Sequence, residues 1–236
     1  MTNKTKKIAV IPLKKDSQRL NNKNFLKLGN MPLWEWTLNC LNDSAQFDHI
    51  IISTDSEEIL SKKKDFKDNV FLIDRPNHLN HPHAIEVVFH SLKELGKNIK
   101  INDNDIIFMA LPTSPFRKKK SVIESINIVN NTKNSVVGVT RANKLSCSYR
   151  LIKNNFLLPV TVSDFNSENL NVQSTDVDEY VVTASIYASI HKNLIKYKTF
   201  HQPNTVPIVL NEIESIDVNS KLDFSYCQFL INHEKN

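Results

Sequence analysis

Ile8-Ala9-Val10-Ile11-Pro12-Leu13-Lys14-Lys15-Asp16-Ser17-Gln18-Arg19-Leu20-Asn21-Asn22-Lys23-Asn24 is the stretch on which the reading of this chain turns. Ile8 to Leu13 form an apolar run, the pattern of a strand buried on both faces within a parallel sheet. The loop that leaves it carries the cations Lys14, Lys15, Arg19 and Lys23, with Ser17 and Asn24 as neutral hydrogen-bonding groups. Open α/β sheets bind ligands at the carboxyl ends of their strands, and converging cations and donors are what phosphate oxygens require. A solvated basic loop would have the same composition, so the stretch alone leaves both readings open.

Working outward, Pro32 suits the first turn of a helix that carries Leu33, Trp34, Thr37, Leu38 and Leu41 on one broad side. His49 to Thr54 reads as a second buried strand, and Asp55-Ser56-Glu57-Glu58 as a helix start with Asp55 in a capping role. Val70 to Ile73 gives a third strand, ending at Asp74-Arg75-Pro76. The following loop holds His78, His81 and His83, with no carboxylate or Cys nearby at metal-ligand spacing, and reads as facing a nucleotide. A helix with Ile85, Val88, Phe89, Leu92 and Leu95 is expected to stop at Gly96. Ile106 to Leu111 is a further buried strand, broken by Pro112-Thr113-Ser114-Pro115-Phe116-Arg117.

Ser121-Val122-Ile123-Glu124 has the form that opens helices, and Ser135 to Thr140 returns to strand character. From Arg141 to about Glu179 the pattern loosens, as expected of an excursion from the sheet. Tyr180 to Tyr187 and Thr205 to Leu210 then read as strands, and a final helix holds Leu222, Phe224, Phe229 and Leu230. Alternating strands and helices predict one α/β domain over 1–236, a doubly wound and mostly parallel sheet. Neither G-x-G-x-x-G nor G-x-x-x-x-G-K occurs, which disfavours dinucleotide and P-loop readings.

Composition narrows the class. With 40% hydrophobic and 23% charged residues, and no apolar run near the roughly 20 residues of a membrane span, a cytoplasmic globular protein without a membrane partner is expected. Cys40, Cys147 and Cys227 are dispersed, so neither a disulfide framework nor a zinc site is implied. The net charge of +5 would permit nucleic-acid binding, yet Lys62-Lys63-Lys64 and Lys118-Lys119-Lys120 lack interleaved aromatics and read as solvated faces.

Taken together, the pieces resemble the acylneuraminate cytidylyltransferase family, which activates sialic acids and related acidic keto sugars such as KDO, legionaminic and pseudaminic acid as CMP-sugars. The resemblance rests on Ile11-Pro12 with Ser17-x-Arg19 and Lys23-Asn24, on Pro32-Leu33, and on Ser53-Thr54-Asp55-Ser56-Glu57-Glu58-Ile59. It continues through Arg75-Pro76, Pro112 to Arg117, Ile186-Tyr187, Ser215-Ile216-Asp217-Val218-Asn219 and Asp223-Phe224. It implies a Rossmann-like nucleotidyltransferase fold and attack of an acid sugar's anomeric hydroxyl on the α-phosphorus of CTP, with pyrophosphate leaving. It further implies that Leu13, Lys14, Ser17, Arg19, Lys23, Asn24 and Arg75 meet the nucleotide, with Arg19 and Lys23 catalytic. Leu111, Thr113 and Ser114 would meet the sugar, Asp217 and Asn219 would hold Mg2+, and the excursion 141–179 would form a homodimer.

The chain departs from the family's pattern at several points. The usual P-A-R-x-G-S-K-R loop loses its glycine, with Leu13, Lys14, Lys15 and Asp16 in the positions before the serine. Leu111 replaces a Gln, Thr183-Ala184-Ser185 replaces Asn-Gly-Ala, Gln173 stands for an Arg, and Asn219 for an Asp. Lys144 and Arg150 are the candidates for the carboxylate-binding role of that missing Arg. Asp217 alone would equally suit a cap for the last helix. Two alternatives therefore stay beside the cytidylyltransferase: an inactive relative that binds a nucleotide or a partner protein, and a nucleotidyltransferase for another sugar and nucleotide.

Overall fold

The computed structural model describes residues 4–17, 19–79, 83–144, 150–153, 156–159 and 178–233. The chain opens with β1 (Lys7–Leu13), then a two-residue hairpin of β2 (Lys27–Leu28) and β3 (Met31–Pro32), and α1 (Leu33–Ser44). Next come β4 (His49–Thr54), the short α2 (Glu57–Ser61), β5 (Val70–Asp74), α3 (Ala84–Leu95) and β6 (Ile106–Met109). The second half contains α4 (Lys119–Thr132), β7 (Val136–Arg141), and a hairpin of β8 (Arg150–Lys153) and β9 (Phe156–Pro159). It ends with β10 (Tyr180–Ile190), α5 (His191–Tyr197), β11 (Val206–Val209) and α6 (Lys221–His233).

Seven strands form one sheet in the order β11-β7-β10-β6-β1-β4-β5. Only β10 runs against its neighbours; the remaining pairings are parallel. The expected doubly wound, mostly parallel α/β sheet is what the chain forms. The cause is legible in β1, where alternate residues enter different cores. Ala9, Ile11 and Leu13 join α1 and α4, through Trp34, Leu38, Leu41, Val122, Ile126 and Val129. Ile8 and Val10 join α3 and α5, through Val88, Leu92, Leu95 and Leu194. Because β1 lies between β4 and β6, successive crossovers depart from it in opposite directions. That is a topological switch point, with its crevice at the strands' carboxyl ends.

Several local expectations change. Helix α4 begins at Lys119, so Ser121 lies inside the helix and packs nearly buried instead of capping it. The backbone N–H of Lys118 is taken by the buried Glu214 carboxylate at 3.1 Å. Pro32 sits just before α1 rather than in its first turn. At α6 the cap is made by Ser220 and Asp223: Asp223 Oδ2 accepts the N–H groups of Asn219 (2.9 Å) and Ser220 (2.7 Å), and the Asp223 N–H donates to Ser220 Oγ (3.2 Å). Asp217 is therefore not needed as a cap. The inward residues of α6 are Cys227 and Ile231, whereas Leu222 and Phe229 face outward. Burial pushes the Cys40 thiol up to about 11 and the Cys227 thiol up to about 12, as suits inert packing groups. Cys147, Gln173 and most of 141–179 lie outside the described residues, as does the Arg150 side chain; Lys144 is exposed.

Candidate active site

Residues from three strand ends and the segment before α6 converge on the crevice. The loop after β1 supplies the cations. Leu13 itself is fully buried in the core, so only its backbone faces the loop. Lys14 and Ser17 are half-buried and Arg19 is exposed, whereas Lys23, in a short helical turn, is 7% exposed. Burial lowers the Lys23 pKa; Asp217 opposes the shift, Arg19 adds to it and Asp223 opposes it. Charges from two distant parts of the sequence thus surround one ammonium group.

A chain of side chains links them. Lys23 Nζ donates to Asn219 Oδ1 at 3.3 Å, and Asn219 Nδ2 donates to Asp217 Oδ2 at 2.6 Å. The other carboxylate oxygen, Asp217 Oδ1, is buried and meets no hydrogen-bond donor among the described residues. Buried polar atoms are seldom left so, and at a cleft they mark a place for a ligand. Asn24 Oδ1 and Ser114 Oγ are in the same condition. A hard cation suits the free Asp217 oxygen, because Mg2+ commonly binds one or two carboxylates and completes its shell with phosphate and water. Asn219 is already engaged at both ends of its amide, which makes it a link between Lys23 and Asp217.

The Pro112–Arg117 turn is held from below by Arg117. Its buried guanidinium donates to the carbonyls of Ser185 (2.6 Å) and Leu111 (2.9 Å) and to Thr37 Oγ1 (3.0 Å), and burial brings its pKa down to about 10. Thr113 accepts the Val218 N–H at 2.8 Å, which ties this turn to the Asp217 segment. Thr113 is consequently brought beside the Asp217 segment, whereas two expected sugar contacts are withdrawn into the protein: Ser114 is fully buried, and Leu111 packs against the core beneath α3. Arg75 behaves differently from the expectation of an open nucleotide contact. Its Nε donates to the Leu79 carbonyl at 2.8 Å, Nη2 donates to the same oxygen, and its backbone N–H bonds Thr54 O at 2.9 Å. Arg75 is 6% exposed, and its guanidinium fastens its own turn.

Two contributors were not read as site residues. Arg117 appears in the sequence only as the end of a Pro-rich turn, and Tyr187 only as a strand residue. The Tyr187 ring packs against Phe200 and His201, and burial, then the charge of Asp217, push its phenol upward. Among the described residues no three His, Cys, Asp or Glu side chains cluster as a metal site; His81, between His78 and His83, lies outside them.

The cytidylyltransferase family matches residues 8–219, a span that includes the strands of the sheet, save Lys7 at the start of β1, and the Asp217-Asn219 pair. This chain belongs to the cytidylyltransferase family. Cytidylyltransferase relatives include the N-acylneuraminate cytidylyltransferase of Escherichia coli O18:K1:H7, 27% identical over 99% of this chain. The chain spans 54% of that protein's length. The CMP-N,N'-diacetyllegionaminic acid synthase of Legionella pneumophila is 29% identical over 95% of both chains. The pseudaminic acid cytidylyltransferase of Campylobacter jejuni serotype O:2 is 22% identical over 97% of this chain and 98% of its own. Solved cytidylyltransferases share the fold at low identity. A CMP:2-keto-3-deoxy-manno-octonic acid synthetase complexed with CTP superposes with TM-score 0.67 at 13% identity, covering 98% of this chain and 100% of its own. The 2-C-methyl-D-erythritol 4-phosphate cytidylyltransferase of Francisella tularensis gives TM-score 0.67 at 14% identity, over 95% and 99%.

Proposed function

We propose that this cytidylyltransferase transfers CMP from CTP to an acidic keto sugar of the nonulosonic class and releases pyrophosphate. The observation that carries the reading is the meeting of the β1 loop cations with Asp217 across the crevice, through the Lys23–Asn219–Asp217 chain. The sugar's anomeric oxygen would form a bond to the α-phosphorus as the bond from that phosphorus to the bridging oxygen of pyrophosphate breaks. Such a transfer asks the protein for alignment and for neutralisation of charge on the phosphoryl oxygens. Lys14, Ser17, Arg19, Lys23 and Asn24 would hold the triphosphate, with Arg19 and Lys23 facing the charge that develops on the leaving group. Thr113 would border the sugar, with the buried Ser114 behind it.

Mg2+ would be held through Asp217, with Asn219 beside it, and when bound supplies positive charge to the phosphate oxygens. Among the described residues no helix is long and apolar enough to cross a membrane; the reading is of a cytoplasmic enzyme. It is also of a homodimer. At the start of β10, Tyr180, Val181 and Val182 are 49%, 51% and 44% exposed, so both faces of the strand are open there. Apolar residues in that condition favour cover by a second copy.

Pyrophosphate release with CTP, Mg2+ and a panel of nonulosonic acids tests the reading. Lys23→Ala is expected to lower turnover by about a hundredfold, the scale set by removing one group that stabilises developing charge. Turnover unchanged in both Lys23→Ala and Arg19→Ala would remove the assignment. Selectivity for another triphosphate would move it to a different nucleotide, and no thermal shift with any triphosphate would favour an inactive relative.

A further inference from the structure

The loop after β1 contains a peptide group gripped at both ends. Asn24 Nδ2 donates to the Lys14 carbonyl at 2.8 Å, and the Lys15 N–H donates to Asp55 Oδ1 at 2.6 Å. That carbonyl and that N–H are the two ends of one planar unit, so the plane cannot turn over without breaking both bonds. The sheet register delivers the partners: Leu13 pairs with Thr54 in the parallel β1–β4 ladder, and the loop and Asp55 leave the sheet side by side. Asp55 is half-buried, and its charge acts on the buried Arg75 guanidinium, which is fixed to its own turn through Leu79. Ser56, not Asp55, occupies the N-cap position of α2, and no side chain caps that helix. The carboxylate is thus committed to the loop.

We propose that Asp55 is the positioning residue of the phosphate loop: with Asn24 it locks the Lys14–Lys15 peptide in one orientation, so that a loop without glycine presents its cations already arranged. A glycine-containing loop meets phosphate through close backbone approach. Here the Lys15 N–H is already occupied by a carboxylate and is not free to meet phosphate, so more of the recognition falls to the loop's side chains, Lys14, Arg19 and Lys23 foremost. Their arrangement depends on the fixed plane, because ordering a free loop at the moment of binding would cost affinity. The functional half of the inference rests on the proposed CTP site; the clamp itself does not.

The test uses the whole chain and two readouts. In ligand-free protein, amide hydrogen exchange at Lys15 followed by NMR is expected to be slow. It should accelerate by about tenfold or more in Asp55→Ala, and stay within about threefold of the parent in Asp55→Asn, which keeps a carbonyl acceptor in place. In turnover, Asp55→Ala is expected to raise KM for CTP by about tenfold, with kcat changed by less than about threefold, and Asp55→Asn to restore it. A residue that merely stabilised the fold would not separate KM from kcat. If Asp55→Ala does not fold, Asp55→Ser, too short to reach the amide, takes its place. Exchange at Lys15 that is indifferent to Asp55 overturns the clamp, and a KM for CTP that is indifferent to it overturns the positioning role. Failure of the parent protein to bind CTP would overturn the proposed reaction, while the exchange result judges the clamp independently.

Discussion

Lys23 is the side chain at which the chemistry of this site is most constrained. An ammonium group this buried loses hydration, and the nearby carboxylates of Asp217 and Asp223 only partly compensate. Asn219 transmits that compensation without adding charge. Converting it to a carboxylate should therefore act on both neighbours. We expect Asn219→Asp to raise the Lys23 pKa and to strengthen divalent-cation binding by about tenfold, measurable with Mn2+ by electron paramagnetic resonance in the absence of substrates. Unaltered Mn2+ binding would place the cation away from this pair. At this scale the sequence exposes residue types better than their partners. Lys23, Asn24, Asp217 and Asn219 stand out by kind and position, but the bond from Lys23 to Asn219 joins residues 196 apart. Asp55 was misread for the same reason: Asp-Ser-Glu-Glu has the local form of a helix start, and its actual partner, the Lys15 amide, is reached only through β1–β4 pairing.

At the level of elements, the join between β7 and β10 leaves no room for a side chain at Gly138. The β10 register shifts between Val182 and Tyr187, and Gly138 of β7 lies against that irregularity. A Cβ added there would stand 2.8 Å from Thr183 Oγ1 and 3.1 Å from both Ile186 Cβ and Leu210 Cδ1. Gly138→Ala should accordingly destabilise the protein by about 1–3 kcal/mol, the cost of overpacking a close-packed interior. Urea unfolding would measure it, and a second substitution, Thr183→Ala, should recover part of the loss. The apolar strands β1, β4 and β6 were legible because a strand buried on both faces is a continuous hydrophobic run. Helix α5 was not, since it begins at His191 directly after β10 with no Gly, Pro or capping side chain to mark the change. The start of α4 was displaced by Glu214, whose contact with Lys118 no local pattern announces.

For the molecule as a whole, titration should be felt first through histidine. Burial lowers the pKa of His49, His90 and His191, and all three have Nδ1 buried without a partner among the described residues. The unfolded chain then takes up protons near the ordinary histidine value of about 6.5 more readily than the native state does. Stability is consequently complete above that pH and declines as pH falls through it toward the lower native values. Urea midpoints at pH 7.5 and 5.5 should show the decline, and His49→Phe, which keeps a ring against Phe71, should make it shallower. An equal midpoint at both pH values would mean that these rings accept protons in place. The layered α/β architecture was readable from alternating elements, yet the strand order was not, because it depends on which edges meet in space.

That order carries a consequence for how the protein is made. The β11–β7 pair reaches the rest of the sheet only through β10, which ends at Ile190. A nascent chain released only as far as β7 can assemble β6, β1, β4 and β5, but its β7 has no neighbour yet synthesised. Only when β10 arrives, in the opposite sense, can β7 be joined to β6, and β11, made last, then adds at the free edge of β7.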